Sequence, residues 1–214
     1  MSVIAPALLA ETPDDYKVMV EKIHGFAQRV HVDICDGEFA PSFTIGAAQV
    51  WWPQEWTVDI HAMVARPSEH LETLLSLKPS TIIFHAEVQE DIVPILDHIK
   101  KFGIKAGIAL LKTTVPNTVA PAIEAADHVM IFSGELGKYG GTASLMQLEK
   151  VRLIRAIRQD VEIGWDGGVN LENAYGLSQG GVDVLNVGGT LANADDPAAM
   201  YTSLVNEINK HGVI

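Results

Sequence analysis

The sequence predicts an α/β fold, a single (β/α)8 TIM barrel, from the alternation of its apolar patterns and from its length of 214 residues. Short β-branched apolar runs alternate with longer amphipathic stretches, which is typical of a parallel sheet with helical connections. A strand, a helix and two short loops take about 26 residues, so eight such units need about 210 residues. An open doubly wound sheet is the alternative. No linker-like tract divides the chain, and we expect one barrel domain over residues 1–214.

The first elements show the pattern on which this prediction depends. An apolar run over 3–9 predicts a strand, and Thr12 followed by Pro13 predicts the start of a helix that runs to about residue 26. Residues 29–36 alternate in polarity and end at an Asp-Gly turn, as a strand does. The other strands are predicted at 57–64, 81–87, 105–111, 128–133, 161–166 and 182–188, and the other helices at 68–77, 90–102, 117–126, 143–159, 171–179 and 197–211.

Composition and charge exclude several classes of function. Hydrophobic residues make up 48% of the chain and charged residues 20%, as in an ordinary globular domain. Fifteen basic and 27 acidic residues give a formal net charge of −12, which repels nucleic acid and anionic lipid. We therefore expect neither nucleic acid nor a membrane as a partner. Cys35 is the one cysteine, so no intrachain disulfide forms and a cytoplasmic location is expected.

Ionisable residues collect at the carboxyl ends of the predicted strands, where TIM barrels place their active sites. His31 and Asp33 are two residues apart on the second strand and therefore face the same side. His61 lies on the third strand and Asp166 ends the seventh. Taken singly, His61 fits a structural histidine and Asp166 fits a turn residue. Because buried charges are costly unless paired or metal-bound, the four together favour a site for zinc, iron, manganese or cobalt.

Pairs of glycines follow the last three predicted strands. Glycine lets backbone amides approach an anion closely, and TIM barrels often bind phosphate with the loops after strands seven and eight. No Lys or Arg stands beside the last two of these loops in the sequence, so we expect phosphate binding by amides alone. Plain turn glycines are the alternative interpretation. The pairs are Gly140-Gly141, Gly167-Gly168 and Gly188-Gly189.

The motifs around these residues form an ordered set over about residues 4–191. They are His31-Val-Asp-Ile-Cys-Asp-Gly37, His61-Ala-Met63-Val64, Phe84-His-Ala-Glu87, Gly107-Ile-Ala-Leu110, Gly140-Gly141, Asp166-Gly-Gly168 and Gly188-Gly189. Any one of them is weakly specific, but the ordered set resembles the ribulose-phosphate 3-epimerase family. The chain looks like a divergent member, and the resemblance implies a barrel of the ribulose-phosphate-binding type.

The resemblance also implies an activity. A family member is an isomerase that interconverts D-ribulose 5-phosphate and D-xylulose 5-phosphate through an enediolate stabilised by one divalent metal. Residue by residue, the family's metal ligands match His31, Asp33, His61 and Asp166, and its acid and base match Asp33 and Asp166. The expected partners are a phosphorylated ketose and further copies of the chain. Three more residues are expected beside the site, namely Cys35, Met63 and His85.

Several positions depart from the family pattern. Ala7 stands where the family has a serine that touches substrate, Leu111-Lys112 replaces an Asn-Pro pair, and Gly189 replaces a serine. The loop over 134–142 is one residue longer than the family's version. Two alternatives therefore stay open: a 3-epimerase of a related sugar such as a hexulose 6-phosphate, and a non-catalytic protein that binds a metal or a sugar phosphate. Related phosphate-binding decarboxylases and synthases have a lysine in a cluster on their strands. The second strand of this chain has no lysine, which argues against that alternative.

Overall fold

Eight parallel strands close into a barrel in chain order, with β8 pairing back to β1, which confirms the predicted (β/α)8 class. The structure, a computed structural model, describes residues 2–210. The extent of the single domain over 1–214 stays a prediction. The strands are β1 Val3–Leu8, β2 Arg29–Cys35, β3 Thr57–Met63, β4 Thr81–His85, β5 Lys105–Leu110, β6 His128–Phe132, β7 Glu162–Asp166 and β8 Val184–Val187. The helices are α1 Pro13–Ile23, α2 Pro67–Leu77, α3 Ile92–Lys101, α4 Ala120–Ala125, α5 Glu149–Ile157, α6 Ala174–Gln179, α7 Gly189–Ala192 and α8 Pro197–Asn209.

Helix starts follow local capping chemistry. The Thr12 hydroxyl accepts a hydrogen bond from the Asp15 amide at 3.2 Å, and Pro13 occupies the first helical position of α1. The Asp196 carboxylate accepts one from the Ala199 amide at 3.0 Å at the start of α8. These short polar side chains satisfy amides that have no partner within the helix, so the predicted starts agree with the structure.

Two predicted helices begin as 3-10 turns instead. The helix predicted at 117–126 is a 3-10 turn over Pro116–Val119 followed by α4, because Pro121 lacks the amide that would continue a regular helix. The one predicted at 143–159 starts with a 3-10 turn over Leu145–Leu148 before α5. The short helix α7 after β8 was not predicted, and the predicted end of the last helix at 211 lies outside the described residues. Within 2–210 no helix is both long and apolar enough to cross a bilayer.

Alternation along the strands divides their side chains between two regions. On β3, Val58 and Ile60 belong to the large apolar core between the sheet and the helices, whereas Asp59 and His61 face the barrel interior. Inside the barrel a small apolar cluster contains Ile83, Ala109, Met130 and Phe132. Polar side chains inside the barrel therefore lie on either side of an apolar cluster.

The amino-terminal end of the barrel contains an ion-pair network. Arg29 Nε donates to Asp59 Oδ2 at 2.6 Å, and its two terminal nitrogens donate to Glu162 at 2.9 and 2.7 Å. His128 Nδ1 lies 2.8 Å from Glu162 Oε2. Burial alone would raise the pKa of Glu162, but the hydrogen bonds from Arg29 and His128 outweigh burial and lower that pKa well below its ordinary value. The guanidinium of Arg29 therefore offsets the negative charges of Asp59 and Glu162 at the amino-terminal end of the barrel.

Arg29→Met is expected to lower the free energy of unfolding by about 2–4 kcal/mol, because it leaves Asp59 and Glu162 without their cation. Urea denaturation at pH 7 measures this. Because the native pKa of Glu162 is lowered, its contribution is complete above its ordinary pKa and is lost as the pH falls from that value to the lowered native pKa. The difference between Arg29→Met and wild type should therefore shrink in acid.

Lys17→Met is the matched control for this prediction. Lys17 and Glu21 form an ion pair at 3.9 Å whose side chains are 63% and 64% exposed. Removing such a pair should change stability by less than about 1 kcal/mol. Equal losses in Arg29→Met and Lys17→Met would contradict the structural role of the network.

Candidate active site at the carboxyl ends of the strands

The four residues expected to share a metal meet at the carboxyl end of the barrel. One potential ligand atom from each of His31, Asp33, His61 and Asp166 lies within 4.8 Å of the others. The β2–β3 register places Asp33 opposite His61, and Asp166 is the last residue of β7. Spacing by two along β2 turns His31 and Asp33 to the same interior face. The predicted convergence of these side chains is present in the structure.

Hydrogen bonding within the cluster leaves one histidine short of partners. His61 Nδ1 lies 2.8 Å from Asp33 Oδ1. His31 Nε2 lies 3.3 Å from the same oxygen, yet neither ring nitrogen of His31 makes a hydrogen bond of good geometry with any residue in 2–210. A fully buried imidazole without partners is costly, and a metal ion would supply the missing interaction. The donor set of two imidazoles and two carboxylates fits a divalent transition metal.

The pKa values of the two carboxyl groups in the cluster are shifted in opposite directions. Burial raises the pKa of Asp33, but His31 and His61 outweigh this effect and the pKa of Asp33 falls well below its ordinary value. Burial, together with the negative charge of Asp33, raises the pKa of Asp166 to about 6. Asp33 therefore stays ionised, while Asp166 changes protonation state near neutral pH. Such a separation is common where two carboxyl groups act as acid and base.

A line of hydrogen-bonded side chains runs outward from the cluster. His61 Nε2 lies 2.9 Å from His85 Nε2, and His85 Nδ1 lies 3.2 Å from Glu87 Oε2. Glu87 Oε1 in turn accepts hydrogen bonds from the Leu111 amide at 2.8 Å and from the Thr114 hydroxyl. His85, expected beside the site, thus connects His61 to a carboxylate that is anchored on the loop after β5.

Cys35 and Met63, also expected beside the site, pack against each other. Their sulfur atoms are 3.9 Å apart, and both belong to a small buried cluster with Ala40. Burial, reinforced by nearby negative charge, raises the pKa of the Cys35 thiol well above its ordinary value. Cys35 is therefore a neutral packing residue and not a nucleophile.

A cavity of about 310 Å³ opens beside the cluster, with Asp33 and Asp166 among its lining residues. The backbone at Gly167 adopts φ of 101°, and a Cβ there would lie 2.1 Å from the Gly134 nitrogen, so only glycine fits. The cavity brings together three glycine-containing loops, as predicted. All six predicted glycines line it: Gly140, Gly141, Gly167, Gly168, Gly188 and Gly189.

Lys138 and Tyr139 are among the lining residues that the sequence did not predict. Phosphate binding by amides alone stays a prediction, but the loop after β6 brings one basic residue, Lys138, to the same cavity. The neighbouring Tyr139 hydroxyl accepts a hydrogen bond from the Leu9 amide at 2.6 Å and donates to the Ala7 carbonyl at 3.1 Å. The Lys-Tyr pair inside a glycine-rich loop is the sequence feature that could have indicated a role for this loop. Its contacts with Ala7 and Gly188 could not be predicted, because these residues are far from it in the sequence.

Comparison with known proteins gives a consistent set of relatives. A family model described as the ribulose-phosphate 3 epimerase family matches residues 3–192. A ribulose-phosphate 3-epimerase of Schizosaccharomyces pombe is 28% identical over 214 residues, which span 97% of this chain and 94% of the relative. One of Helicobacter pylori is 31% identical over 213 residues, spanning 95% and 96%. A protein of Oryza sativa named as the cytoplasmic isoform of this enzyme is 29% identical over 210 residues, spanning 94% and 92%.

Solved structures with the same architecture are more distant. The 3-hexulose-6-phosphate synthase from Salmonella typhimurium superposes with a TM-score of 0.71 at 14% identity, covering 98% of this chain and 100% of that one. A tryptophan synthase of Mycobacterium tuberculosis superposes with a TM-score of 0.71 at 15% identity, covering 98% and 93%. At these identities the likeness shows the barrel fold alone.

Asp166→Asn is expected to stabilise the metal-free protein at pH 8. Because the native pKa of Asp166 is raised to about 6, ionising this group above that pH costs the native state free energy that the unfolded chain does not lose. The amide removes the cost, so the free energy of unfolding should rise by about 1–3 kcal/mol at pH 8. The difference should be small at pH 4, where the wild-type carboxyl is protonated in the native state.

Urea denaturation in the presence of a chelator measures this effect at both pH values. Asp195→Asn, a change at an exposed aspartate, is the control and should give the same stability as wild type. A loss of stability at pH 8 in Asp166→Asn would show that the carboxylate is favourably paired in the native state, contrary to this prediction.

Proposed function

The chain belongs to the ribulose-phosphate 3-epimerase family, and we propose that it interconverts D-ribulose 5-phosphate and D-xylulose 5-phosphate by moving a proton between two faces of C3. The observation that carries this proposal is the pair of carboxyl groups of Asp33 and Asp166, which line one cavity and lie in one cluster with two histidines. Inversion at a carbon next to a carbonyl requires one group to remove a proton and a second group to return one from the opposite face.

We assign one divalent metal to His31, Asp33, His61 and Asp166. The unpartnered nitrogens of His31 and the mixed donor set support this assignment, and they suit zinc, iron, manganese or cobalt. When bound, such an ion acts as a Lewis acid that polarises the ketose carbonyl and makes the adjacent C–H more acidic. The chain's own carboxyl groups then carry out the proton transfers.

We assign one proton transfer to each of the two aspartates. The ionised carboxylate of Asp33 removes the C3 proton on one face, and the electron pair of the C–H bond moves toward the carbonyl oxygen to give an enediolate. The carboxyl group of Asp166 delivers a proton to the other face of C3. The reverse reaction uses the same groups with exchanged roles, so each aspartate is both acid and base over a full cycle.

The glycine loops are assigned to the phosphate end of the substrate. Amides of Gly140-Gly141, Gly167-Gly168 and Gly188-Gly189 border the cavity that contains the two aspartates, and glycine lets an anion approach them closely. Association with further copies of the chain stays a prediction. A cytoplasmic location is part of the proposal, and the name of the rice relative supports it.

Hydrogen exchange tests the proposal directly. Metal-loaded protein is incubated with ribulose 5-phosphate in deuterated water, and loss of the C3 proton signal is followed by NMR as xylulose 5-phosphate appears. A hexulose 6-phosphate is tested in parallel, since Ala7 and Tyr139 alter the wall of the cavity. Tight binding of these sugar phosphates without exchange would instead indicate a binding protein.

Asp33→Asn and Asp166→Asn are each expected to lower the rate of epimerisation by about 10²–10⁴, because each removes one of two proton-transfer groups. Each variant still has one of the two proton-transfer groups, so it should exchange the C3 proton of one epimer with solvent. Metal content is measured on the same samples, since both residues are also assigned as ligands. A variant with bound metal and full epimerisation would contradict the two-base mechanism, and Asp195→Asn serves as the control.

Glu87→Gln is expected to weaken metal binding by about 10–100-fold, because Glu87 holds His85 and His85 holds one nitrogen of His61. Competition with a chromophoric chelator measures the affinity. Glu90→Gln is the matched control, since Glu90 is a carboxylate a few residues away that accepts hydrogen bonds from the Ser68 amide and hydroxyl. Equal metal affinity in wild type and Glu87→Gln would show that the line of side chains does not orient His61.

A further inference from the structure

The charges around the cavity are unevenly distributed. Among its lining residues in the described chain, the charged ones are Asp33, Asp166 and Lys138. A phosphate dianion must therefore enter a cavity that contains two carboxyl groups, on a chain with a net charge of −12. Backbone amides supply partial positive charge only, and a single ammonium group nearby reduces the electrostatic cost of binding.

The main chain at Lys138 is held on both sides. On one side, a Cβ at Gly137 would lie 2.7 Å from the Cβ of Ser42, so the loop packs directly on the connection after β2. On the other, the Tyr139 ring packs against Gly188, where a Cβ would lie 2.5 Å from the ring. The Tyr139 hydroxyl is hydrogen-bonded to the Leu9 amide and to the Ala7 carbonyl at the end of β1. The backbone of Lys138 is therefore fixed in position beside the cavity that this residue lines.

The side chain of Lys138, in contrast, is weakly held. Its Nζ lies 3.0 Å from Glu135 Oε2, and the two side chains are 62% and 66% exposed. Exposed pairs of this kind contribute little, because water screens the attraction and both side chains lose freedom. Glu135 is not among the residues that line the cavity, so the ammonium group of Lys138 has its ion-pair partner outside the set of lining residues. A phosphate dianion bound in the cavity would compete with Glu135 for the ammonium group of Lys138.

We propose that Lys138 is a ligand of the substrate's phosphate group and exchanges the Glu135 carboxylate for the phosphate when substrate binds. The inference rests on the proposed function, since it takes a sugar phosphate as the substrate. Amides of the glycine loops orient the phosphate, and Lys138 supplies the full positive charge that those loops lack. Glu135 holds the ammonium group outside the cavity until an anion enters, which makes it a competitor of the phosphate.

Binding of inorganic phosphate, measured by calorimetry on the full-length protein, tests the proposal first. Lys138→Met should weaken binding by about tenfold or more, as expected for loss of a charge-assisted hydrogen bond, and Lys138→Arg should retain most of the affinity. Glu135→Gln should bind phosphate about twofold to fivefold more tightly, because the competing carboxylate is gone. Lys17→Met removes a similar exposed ion pair far from the cavity in sequence and should bind phosphate as wild type does.

Steady-state kinetics with ribulose 5-phosphate then locate the effect. The loss in Lys138→Met should appear mainly in KM, because the contact is made in both the ground state and the transition state. Wild-type phosphate affinity and KM in Lys138→Met would overturn the inference and leave the epimerase proposal intact. If wild type does not epimerise ribulose 5-phosphate, the proposed function fails. Weakened phosphate binding by Lys138→Met would then still support the anion contact. Melting temperatures confirm that each variant is folded.

Discussion

The carboxyl groups of Asp33, which is buried, and Asp166, which is half-buried, share one pocket, and like charges this close cannot both persist there without compensation. The rest of the site follows from that constraint. His31 and His61 stabilise the charge on Asp33, and the remaining cost falls on Asp166, whose pKa is raised to about 6. The same arrangement is costly for a metal-free protein, because Asp166 must ionise beside the charge of Asp33. A divalent cation among these groups would offset the repulsion, which is a further reason to assign a metal to them.

The barrel can tolerate this cost because its stabilising charges lie elsewhere. Arg29, Asp59 and Glu162 form their network at the amino-terminal end, where no proton transfer is proposed. The apolar cluster that includes Ile83 and Met130 belongs to the interior as well. TIM barrels commonly keep chemistry at the carboxyl ends of the strands and stability at the other end. Here the division is visible in the charges themselves: Asp59 and Glu162 at the amino-terminal end are paired with the guanidinium of Arg29, whereas Asp33 at the carboxyl end is paired with histidines alone.

Much of this arrangement could be predicted because it depends on periodicity along single strands. Spacing by two turns His31 and Asp33 to one face whatever the neighbouring strands do, and eight alternating units of the right length imply closure. Contacts between loops could not be predicted in this way. Lys138 is 50 residues from Gly188 in the sequence, yet both line one cavity, and only the path of the loop after β6 brings them together. The line from His61 through His85 to Glu87 was foreseen only in part, since its outer anchor lies on the loop after β5.

Three of the departures that the family resemblance implies, at Ala7, at Gly189 and in the loop after β6, are connected to one another in space. The longer loop after β6 carries Tyr139, whose hydroxyl donates to the carbonyl of Ala7. The next residue, Gly140, lies so near Gly189 that a Cβ on Gly189 would be 3.3 Å from the Gly140 Cα, a distance that leaves little room for a serine side chain. A longer loop, a small residue on β1 and a glycine after β8 are therefore parts of one packing arrangement. This arrangement borders the glycine loops and shapes the wall of the cavity, beside the four clustered His and Asp residues to which the metal is assigned.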